Sequence, residues 1–143
     1  TVSLRYFNVY SEDQQFGGAY STVISAWMQM IREGNPLRID GDGEQTRDFI
    51  HVDDIVGANI FCMNCENDFN GDVLNVASGE SISLKYIKSF IDIKNKDTRW
   101  DMKPSRDGDI KHSTSDIRKI LDLGWSPNVS IKDGLEKCFG GII

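Results

Sequence analysis

One run of ten residues combines a cation, carboxylates and an aromatic ring at spacings that suit ligand binding: Gln45-Thr46-Arg47-Asp48-Phe49-Ile50-His51-Val52-Asp53-Asp54. We predict a strand that ends on a charged turn and runs into a helix. Strand alternation places Arg47 and Phe49 on one face and Asp48 and Ile50 on the other. A guanidinium beside an aromatic ring suits a phosphorylated or planar ligand. The alternative is that a neighbouring carboxylate holds Arg47 in an ordinary ion pair.

Two further stretches carry polar groups at positions suited to ligands. A buried-looking strand over residues 73–77 is followed by a small-residue turn and a helix. Because ligands of α/β folds lie at the carboxyl ends of strands, residues 75–79 form a second candidate ligand edge. In the loop 103–109, Arg106 and Asp109 lie on either side of a glycine. They either belong to a solvated turn or offer a guanidinium to a diphosphate and a carboxylate to a sugar hydroxyl.

The composition limits the classes of function. The chain has 143 residues, of which 39% are hydrophobic and 27% are charged, so it is long enough for one domain with a hydrophobic core. Its formal net charge of -6 argues against nonspecific nucleic-acid binding. Any anion site must therefore be built locally from a few arginines. No apolar run approaches the roughly 20 residues of a membrane span, so we expect no membrane partner.

The three cysteines, Cys62, Cys65 and Cys138, favour a reducing, cytoplasmic setting over a disulfide framework. Cys62 and Cys65 are spaced as C-x-x-C, but no second pair and no histidine at ligand spacing accompany them. We predict structural thiols and no metal site. His51 also has no nucleophile near it in sequence, and we predict a structural hydrogen bond for it at the strand end.

Apolar residues at helical spacing predict two long helices in the first half of the chain. The first runs from Tyr20 to a stop at Gly34, and the second is capped by Asp53 and runs to about Cys65. The residues expected to face the core are Ile24, Trp27, Met28 and Ile31 in the first helix, and Val56, Ile60 and Met63 in the second.

The remaining elements are shorter. Ser83 is expected to cap a helix whose inward face carries Leu84, Ile87 and Ile91, and Ser130 is expected to cap the last helix. A short helix is predicted over 115–121. Strands are predicted over 1–10, 37–40, 73–77 and 99–102, with a hairpin or wide turn at 41–44.

Five motifs in order resemble the C-terminal part of an extended short-chain dehydrogenase/reductase acting on nucleotide sugars. Within that family the resemblance is strongest to UDP-glucose and UDP-N-acetylglucosamine 4-epimerases, and it runs over nearly the whole chain. The motifs are Arg5-Tyr6-Phe7-Asn8-Val9-Tyr10, Gly41-Asp42-Gly43 with Arg47-Asp48-Phe49-Ile50-His51-Val52-Asp53-Asp54, Asn75-Val76-Ala77-Ser78-Gly79, Arg106-Asp107-Gly108-Asp109, and Leu123-Gly124-Trp125-Ser126-Pro127.

The resemblance implies a set of residues around the diphosphate and ribose of a UDP-sugar. Arg47 and Arg106 match the two arginines that bind the diphosphate in the family. Asn8 matches a residue that contacts the sugar diphosphate, and Asp109 matches the carboxylate on the uridine ribose. These assignments agree with the residues themselves, since two placed arginines in an acidic chain make a local diphosphate clamp.

The resemblance also implies contacts with the cofactor and with the two ends of the substrate. Phe7 matches a residue beside the nicotinamide of NAD. Phe49 matches an aromatic residue near the sugar or phosphates, and Arg38 and Asp40 fall on the strand beside the uracil. The family usually has a glycine and basic residues where this chain has residues 11–15, Ser-Glu-Asp-Gln-Gln. That departure leaves the choice of sugar open.

The family's chemistry needs parts that this sequence lacks. A tyrosine of a Tyr-x-x-x-Lys motif takes the sugar hydroxyl proton while NAD accepts the hydride, and both this motif and the glycine-rich cofactor turn are expected upstream of Thr1. We therefore expect residues 1–143 to be a single substrate-binding region, cut from a longer protein and inactive alone. A 4,6-dehydratase, a decarboxylating relative, and a stand-alone nucleotide-sugar-binding module are the alternatives.

For the fold we expect mixed α/β, the small C-terminal lobe of an extended Rossmann-type enzyme, with short strands and about five helices. The strands at 2–9 and 73–77 are expected to belong to the sheet of the absent dinucleotide-binding half. The resemblance further implies a parent homodimer that associates through that absent half.

Overall fold

The computed structural model describes residues 1–17 and 21–143. Within them the chain forms eight short strands and five helices, as expected for mixed α/β. The strands are β1 (Val2–Tyr6), β2 (Val9–Tyr10), β3 (Leu37–Asp40), β4 (Thr46–Arg47), β5 (Ile50–His51), β6 (Asp72–Val76), β7 (Ile82–Ser83) and β8 (Trp100–Lys103). The helices are α1 (Val23–Arg32), α2 (Val52–Asn64), α3 (Leu84–Lys94), α4 (Arg118–Asp122) and α5 (Ile131–Phe139). The predicted start of the first helix at Tyr20 lies outside the described residues.

The strands pair in twos, each with a partner distant in sequence. The pairs β1–β6, β2–β5 and β3–β8 are parallel, and β4–β7 is antiparallel. The turn at 41–44 therefore does not close a hairpin, because β3 and β4 bond to different partners. It is a wide turn, in which Gly41 and Gly43 both have positive φ, 83° and 79°. Such backbone favours glycine.

Two hydrophobic clusters hold these elements together. The first joins α1, β3, α3 and α5, and the second joins β1, β6, α2 and α4. The inward residues predicted for α1 and α3 belong to the first cluster, where Ile24, Trp27, Met28, Leu84, Ile87 and Ile91 are buried and Ile31 is partly buried. Those predictions are confirmed.

Helix α2 differs from its prediction in its cap. The residue before the helix is His51, whose ring Nδ1 accepts a hydrogen bond from the backbone N–H of Asp53 at 3.2 Å. The opposite ring nitrogen lies 3.1 Å from a carboxylate oxygen of Glu12. The prediction of a structural hydrogen bond for His51 is thus confirmed, whereas the prediction of Asp53 as the cap is wrong.

The buried face of α2 is also not the predicted one. Ile55, Ala58 and Cys62 face the second cluster. The predicted inward stripe points to solvent, and its residues Val56, Ile60 and Met63 are exposed. Apolar residues occur nearly all round this helix, so their spacing alone does not identify the packed side. Contacts of α2 with β1, β2 and β5 accompany this packed side.

The two last helices confirm one prediction and correct another. Ser130 caps α5, and its hydroxyl accepts a hydrogen bond from the backbone N–H of Asp133 at 3.1 Å. The preceding helix does not begin at Ser115. It begins at Arg118, whose backbone N–H donates to the Asp116 carboxylate at 3.0 Å. That carboxylate satisfies the backbone N–H at the start of the helix.

Gly134 in α5 packs against the buried ring of Tyr10. A Cβ atom at this position would lie 1.9 Å from the Tyr10 hydroxyl oxygen. We expect Gly134→Ala to lower the free energy of unfolding by about 1–3 kcal/mol through overpacking. The matched control is Gly57→Ala in α2, where the nearest atom outside the helix backbone would be 3.8 Å away. Urea unfolding should show no destabilisation for the control, and an equal loss in both variants would contradict the packing argument.

Candidate functional site

A cleft of about 1030 Å³ opens between α1, the strands β2 to β4 and the loop that follows β8. Its walls come from segments far apart in sequence, which the pairing of β3 with β8 brings together. Seven of the eight site residues predicted from the sequence line it: Asn8, Arg38, Asp40, Arg47, Phe49, Arg106 and Asp109. The structure thus brings this set together, while the role of each residue stays a prediction.

Arg47 lines the cleft and bonds to three partners. Its Nη2 donates to the Asp109 carboxylate at 2.6 Å, and its Nη1 donates to the carbonyl oxygens of Thr46 and Ile110. The ion pair predicted as the alternative is therefore present, and ligand binding by Arg47 stays a prediction. A carboxylate does pair with the arginine, and the arginine also faces a cavity large enough for a ligand.

A second network of charged side chains lines the same cleft. The Asp40 carboxylate accepts from Arg38 Nε at 2.7 Å through one oxygen, and it pairs with Arg106 through the other. Burial would raise the pKa of the Asp40 carboxyl, but hydrogen bonds and charge from the two arginines outweigh burial and lower that pKa below its usual value. Asp40 is therefore a carboxylate at neutral pH.

The two networks make the cleft locally positive. Among the described lining residues, three arginines face two carboxylates, which leaves one positive charge in excess. The chain as a whole carries a formal charge of -6. A positive site inside an acidic protein attracts anions selectively at that point.

Phe49 and Asn8 line the same cleft as these networks. Phe49 is buried in the first hydrophobic cluster and packs edge-on against Tyr10, with ring centroids 6.4 Å apart. Asn8 has a positive φ of 32°, and its side-chain amide donates to the backbone carbonyl of Asp48 at 2.8 Å. The sequence predicted one continuous strand before α2. That prediction is wrong, because the strand is interrupted at Asp48 and Phe49, between β4 and β5.

Asp48 explains the break. Its side chain is fully buried, and its carboxylate accepts hydrogen bonds from the Ser78 backbone N–H at 2.9 Å, the Ser78 hydroxyl at 2.6 Å and the Gly79 backbone N–H at 3.1 Å. The turn after β6 is thus filled by an anion from the protein itself. Asn75 is also engaged, donating to the Asp116 carbonyl oxygen at 2.9 Å. These groups of Asn75, Ser78 and Gly79 form a structural junction within the protein, and the second candidate ligand edge at 75–79 stays a prediction.

Sequence reasoning missed two residues that fix the backbone of β3 beside the cleft. The Trp27 ring Nε1 donates to the Arg38 carbonyl oxygen at 2.8 Å, and the Gln45 amide donates to the Asp40 carbonyl oxygen at 2.6 Å. Both also line the cleft. Trp27 was expected only as a core residue, and a lone indole N–H on an otherwise apolar stripe is the signal that indicates a polar partner.

Phe7 is the one predicted site residue that does not line the cleft. It packs against the second hydrophobic cluster instead, so its place beside a nicotinamide stays a prediction. The cysteines fit structural thiols: Cys62 and Cys138 are buried, and burial raises the pKa of both. Residues 1–17 and 21–143 contain no group of side chains arranged to hold a metal ion, and none of their helices has the length and apolarity to cross a membrane.

The first half of the chain is similar in sequence to a known protein family. Residues 1–77 match the family model described as the NAD dependent epimerase/dehydratase family. The chain belongs to this family. The match covers more than half of the chain, and it includes β1 to β6 and five of the seven predicted residues in the cleft. The other two, Arg106 and Asp109, come from the loop after β8.

Similar members of the epimerase/dehydratase family are known by sequence. A putative UDP-glucose 4-epimerase of Methanocaldococcus jannaschii is 32% identical over 136 residues, covering 94% of this chain and 43% of the relative. A dTDP-4-dehydro-6-deoxyglucose reductase of Escherichia coli is 33% identical over 144 residues, covering 99% of this chain and 45% of the relative. The chain therefore spans less than half the length of these relatives.

Solved structures of family members have the same fold. A UDP-glucuronic acid 4-epimerase of Bacillus cereus, in complex with UDP-glucuronic acid and NAD, is 33% identical with a TM-score of 0.85, covering 99% of this chain and 44% of that one. A UDP-glucose 4-epimerase of Thermotoga maritima with UDP-glucose is 32% identical with a TM-score of 0.83, covering 96% and 44%. The predicted fold class, part of an extended Rossmann-type enzyme, is confirmed.

Proposed function

We propose that this chain is the nucleotide-sugar-binding part of an NAD-dependent UDP-sugar 4-epimerase. The observation that carries the proposal is the cleft in which Arg38, Arg47 and Arg106 converge from β3, β4 and the loop after β8. A diphosphate presents several oxygens around two adjacent negative charges, and arginine forks bind such oxygens in pairs. Arg47 and Arg106, the two arginines expected at the diphosphate, supply two such forks in one cleft, and Arg38 lies on the strand expected beside the uracil.

The internal ion pairs fit the same proposal. Asp109 now accepts from Arg47, as a phosphate oxygen would. A diphosphate that takes this place at the guanidinium releases the Asp109 carboxylate, which is then free to accept from a ribose hydroxyl. The carboxylate therefore positions the arginine before the ligand binds and accepts from the ribose once it is bound.

The choice of a UDP-sugar and of 4-epimerisation rests on the relatives. Solved structures at 32% and 33% identity hold UDP-glucose and UDP-glucuronic acid. A reductase of a dTDP-sugar is equally similar by sequence, at 33% identity. A 4,6-dehydratase, a decarboxylating relative or a module that binds without catalysis are the alternatives to the epimerase.

We propose that NAD is bound mainly by a dinucleotide-binding half outside this chain. When bound, it accepts a hydride from the sugar and returns it to the keto sugar. Phe7 lies half-buried at the end of β1, close in sequence to Asn8 of the cleft. We place it at the nicotinamide end of the substrate.

Titration of UDP into the chain tests the binding site directly. We expect saturable binding that weakens as salt is raised, because ionic contacts to the diphosphate are screened. Uridine, which lacks the diphosphate, is the matched control and should bind far more weakly. Titration of dTDP in parallel addresses the nucleotide alternative. A folded chain that binds UDP no better than uridine would contradict the proposed clamp.

The chain alone is expected to be catalytically inactive, since Tyr-x-x-x-Lys is absent from its sequence. We expect no interconversion of UDP-glucose and UDP-galactose, or of the N-acetylated pair, when NAD is added. Turnover is measured by chromatography of the nucleotide sugars against a blank without protein. Product above that blank would show that the catalytic groups lie within these residues.

A further inference from the structure

Asp40 occupies an unusual place among the charged groups of the cleft. Its two carboxylate oxygens serve different arginines: Oδ1 accepts from Arg38 and Oδ2 pairs with Arg106. Only 10% of the Asp40 side chain is exposed. Each carboxylate oxygen therefore has an arginine partner and keeps one further acceptor site.

The two arginines depend on Asp40 to different extents. Arg38 stands two residues from Asp40 on the same strand, so β3 itself places its side chain on the same face. Arg106 comes from the loop after β8, its side chain is 66% exposed, and its ion pair with Asp40 ties it to the cleft wall. Without that carboxylate, an exposed arginine on a loop would sample many rotamers.

We propose that Asp40 is a positioning residue, which holds the guanidinium of Arg106 in the cleft before the diphosphate arrives. The proposal deepens the function above and rests on it. An arginine that is already placed loses less conformational entropy on binding than a mobile one, so the preorganised cleft binds the anion more tightly. Asp40 acts through Arg106 and need not touch the ligand.

A purely electrostatic role for Asp40 would change UDP affinity in the opposite direction from a positioning role. A carboxylate beside a diphosphate repels it, so a purely electrostatic role predicts tighter UDP binding when the Asp40 charge is removed. Positioning predicts weaker binding. Asp40→Asn distinguishes the two, because asparagine is nearly isosteric but keeps one acceptor oxygen where two are needed.

UDP titrations of the chain and its variants test the proposal. We expect Asp40→Asn to raise the dissociation constant about 3- to 10-fold, the cost of ordering one long side chain on binding. Asp42→Asn is the matched control, with the same change of charge on an exposed carboxylate outside the cleft. It should stay within about twofold of the unchanged chain.

A double-mutant cycle separates positioning from a general structural effect. If Asp40 acts through Arg106, Asp40→Asn in an Arg106→Gln background should change the dissociation constant by less than about twofold. Thermal melting verifies that each variant is folded. If Asp40→Asn does not fold, Asp40→Glu replaces it in the cycle, because glutamate keeps both oxygens on a longer side chain. We then expect Asp40→Glu to change the UDP dissociation constant less in the Arg106→Gln background than in the unchanged chain.

Three results would overturn the proposal. UDP binding to Asp40→Asn that equals or exceeds binding to Asp42→Asn would favour the repulsive role. An Asp40→Asn effect that persists in full without the Arg106 guanidinium would show that Asp40 does not act through it. If the unchanged chain does not bind UDP, the proposed function itself fails, and that result is distinguishable because it requires no variant.

Discussion

Replacing Arg47 by alanine is expected to weaken UDP binding by about 1.5–3 kcal/mol, the range for hydrogen bonds to a charged group. The guanidinium lines the cleft and joins β4 to the loop after β8 through Asp109 and the Ile110 carbonyl oxygen. Its removal therefore takes away one anion ligand and also frees the loop that carries Arg106. Calorimetric titration of UDP measures the loss.

The matched control for this experiment is Arg118→Ala. Arg118 lies on α4, is exposed, and pairs with Asp116 outside the cleft. Its removal changes the net charge equally, so it should leave the UDP dissociation constant nearly unchanged. Arg47→Lys is expected to bind UDP almost as poorly as alanine, because an ammonium lacks the planar fork that bonds several partners at once. UDP affinity unchanged in Arg47→Ala would reject the clamp.

Replacing Asp48 by alanine is expected to lower the free energy of unfolding by roughly 2–4 kcal/mol, since three hydrogen bonds to a buried carboxylate are lost. Those bonds come from the two backbone amides and the hydroxyl at Ser78 and Gly79. They join the break between β4 and β5 to the turn after β6. The loss is measured by urea unfolding at neutral pH.

Two further variants define what Asp48 contributes. Asp48→Asn keeps one oxygen for Ser78 but turns an amide N–H₂ toward the Gly79 N–H, so we expect an intermediate loss. Asp107→Ala removes an exposed carboxylate from the loop after β8 and should change stability by less than about 0.5 kcal/mol. Equal stability of Asp48→Ala and Asp107→Ala would show that the buried carboxylate is not a structural junction.

The helices were predictable where two local signals coincide. In α3 and α5 a serine cap directly precedes the helix, and in α1 and α3 the apolar residues form one narrow stripe. Helix α2 offered no such agreement, because apolar residues cover most of its surface. Its packed side is set by β1 and β2, which the spacing along the helix cannot indicate.

The sequence indicated which residues belong to the candidate site, but it did not indicate which of them form ion pairs with each other. Arg47 and Arg106 were identified as cations beside small or aromatic residues, and the family resemblance supplied their roles. That Asp109 pairs with one and Asp40 with the other depends on the β3–β8 register, in which Asp40 lies opposite Lys103. Strand patterns indicate where strands occur and leave their partners undetermined. For the same reason, the sequence did not indicate that the Asp48 side chain is buried and bonds to Ser78 and Gly79.

The pattern of strand pairing has a consequence for how the chain reaches this structure. Even the closest pair joins residues 46–47 to 82–83, and β1 joins residues 2–6 to 72–76. No sheet hydrogen bond between these strands forms until a long loop has closed, and closure is entropically unfavourable before any contact compensates it. Refolding is therefore expected on the slow, millisecond-to-second scale of topologies dominated by distant contacts. We expect the helices, whose hydrogen bonds are local, to form before the cleft, whose walls come from distant segments.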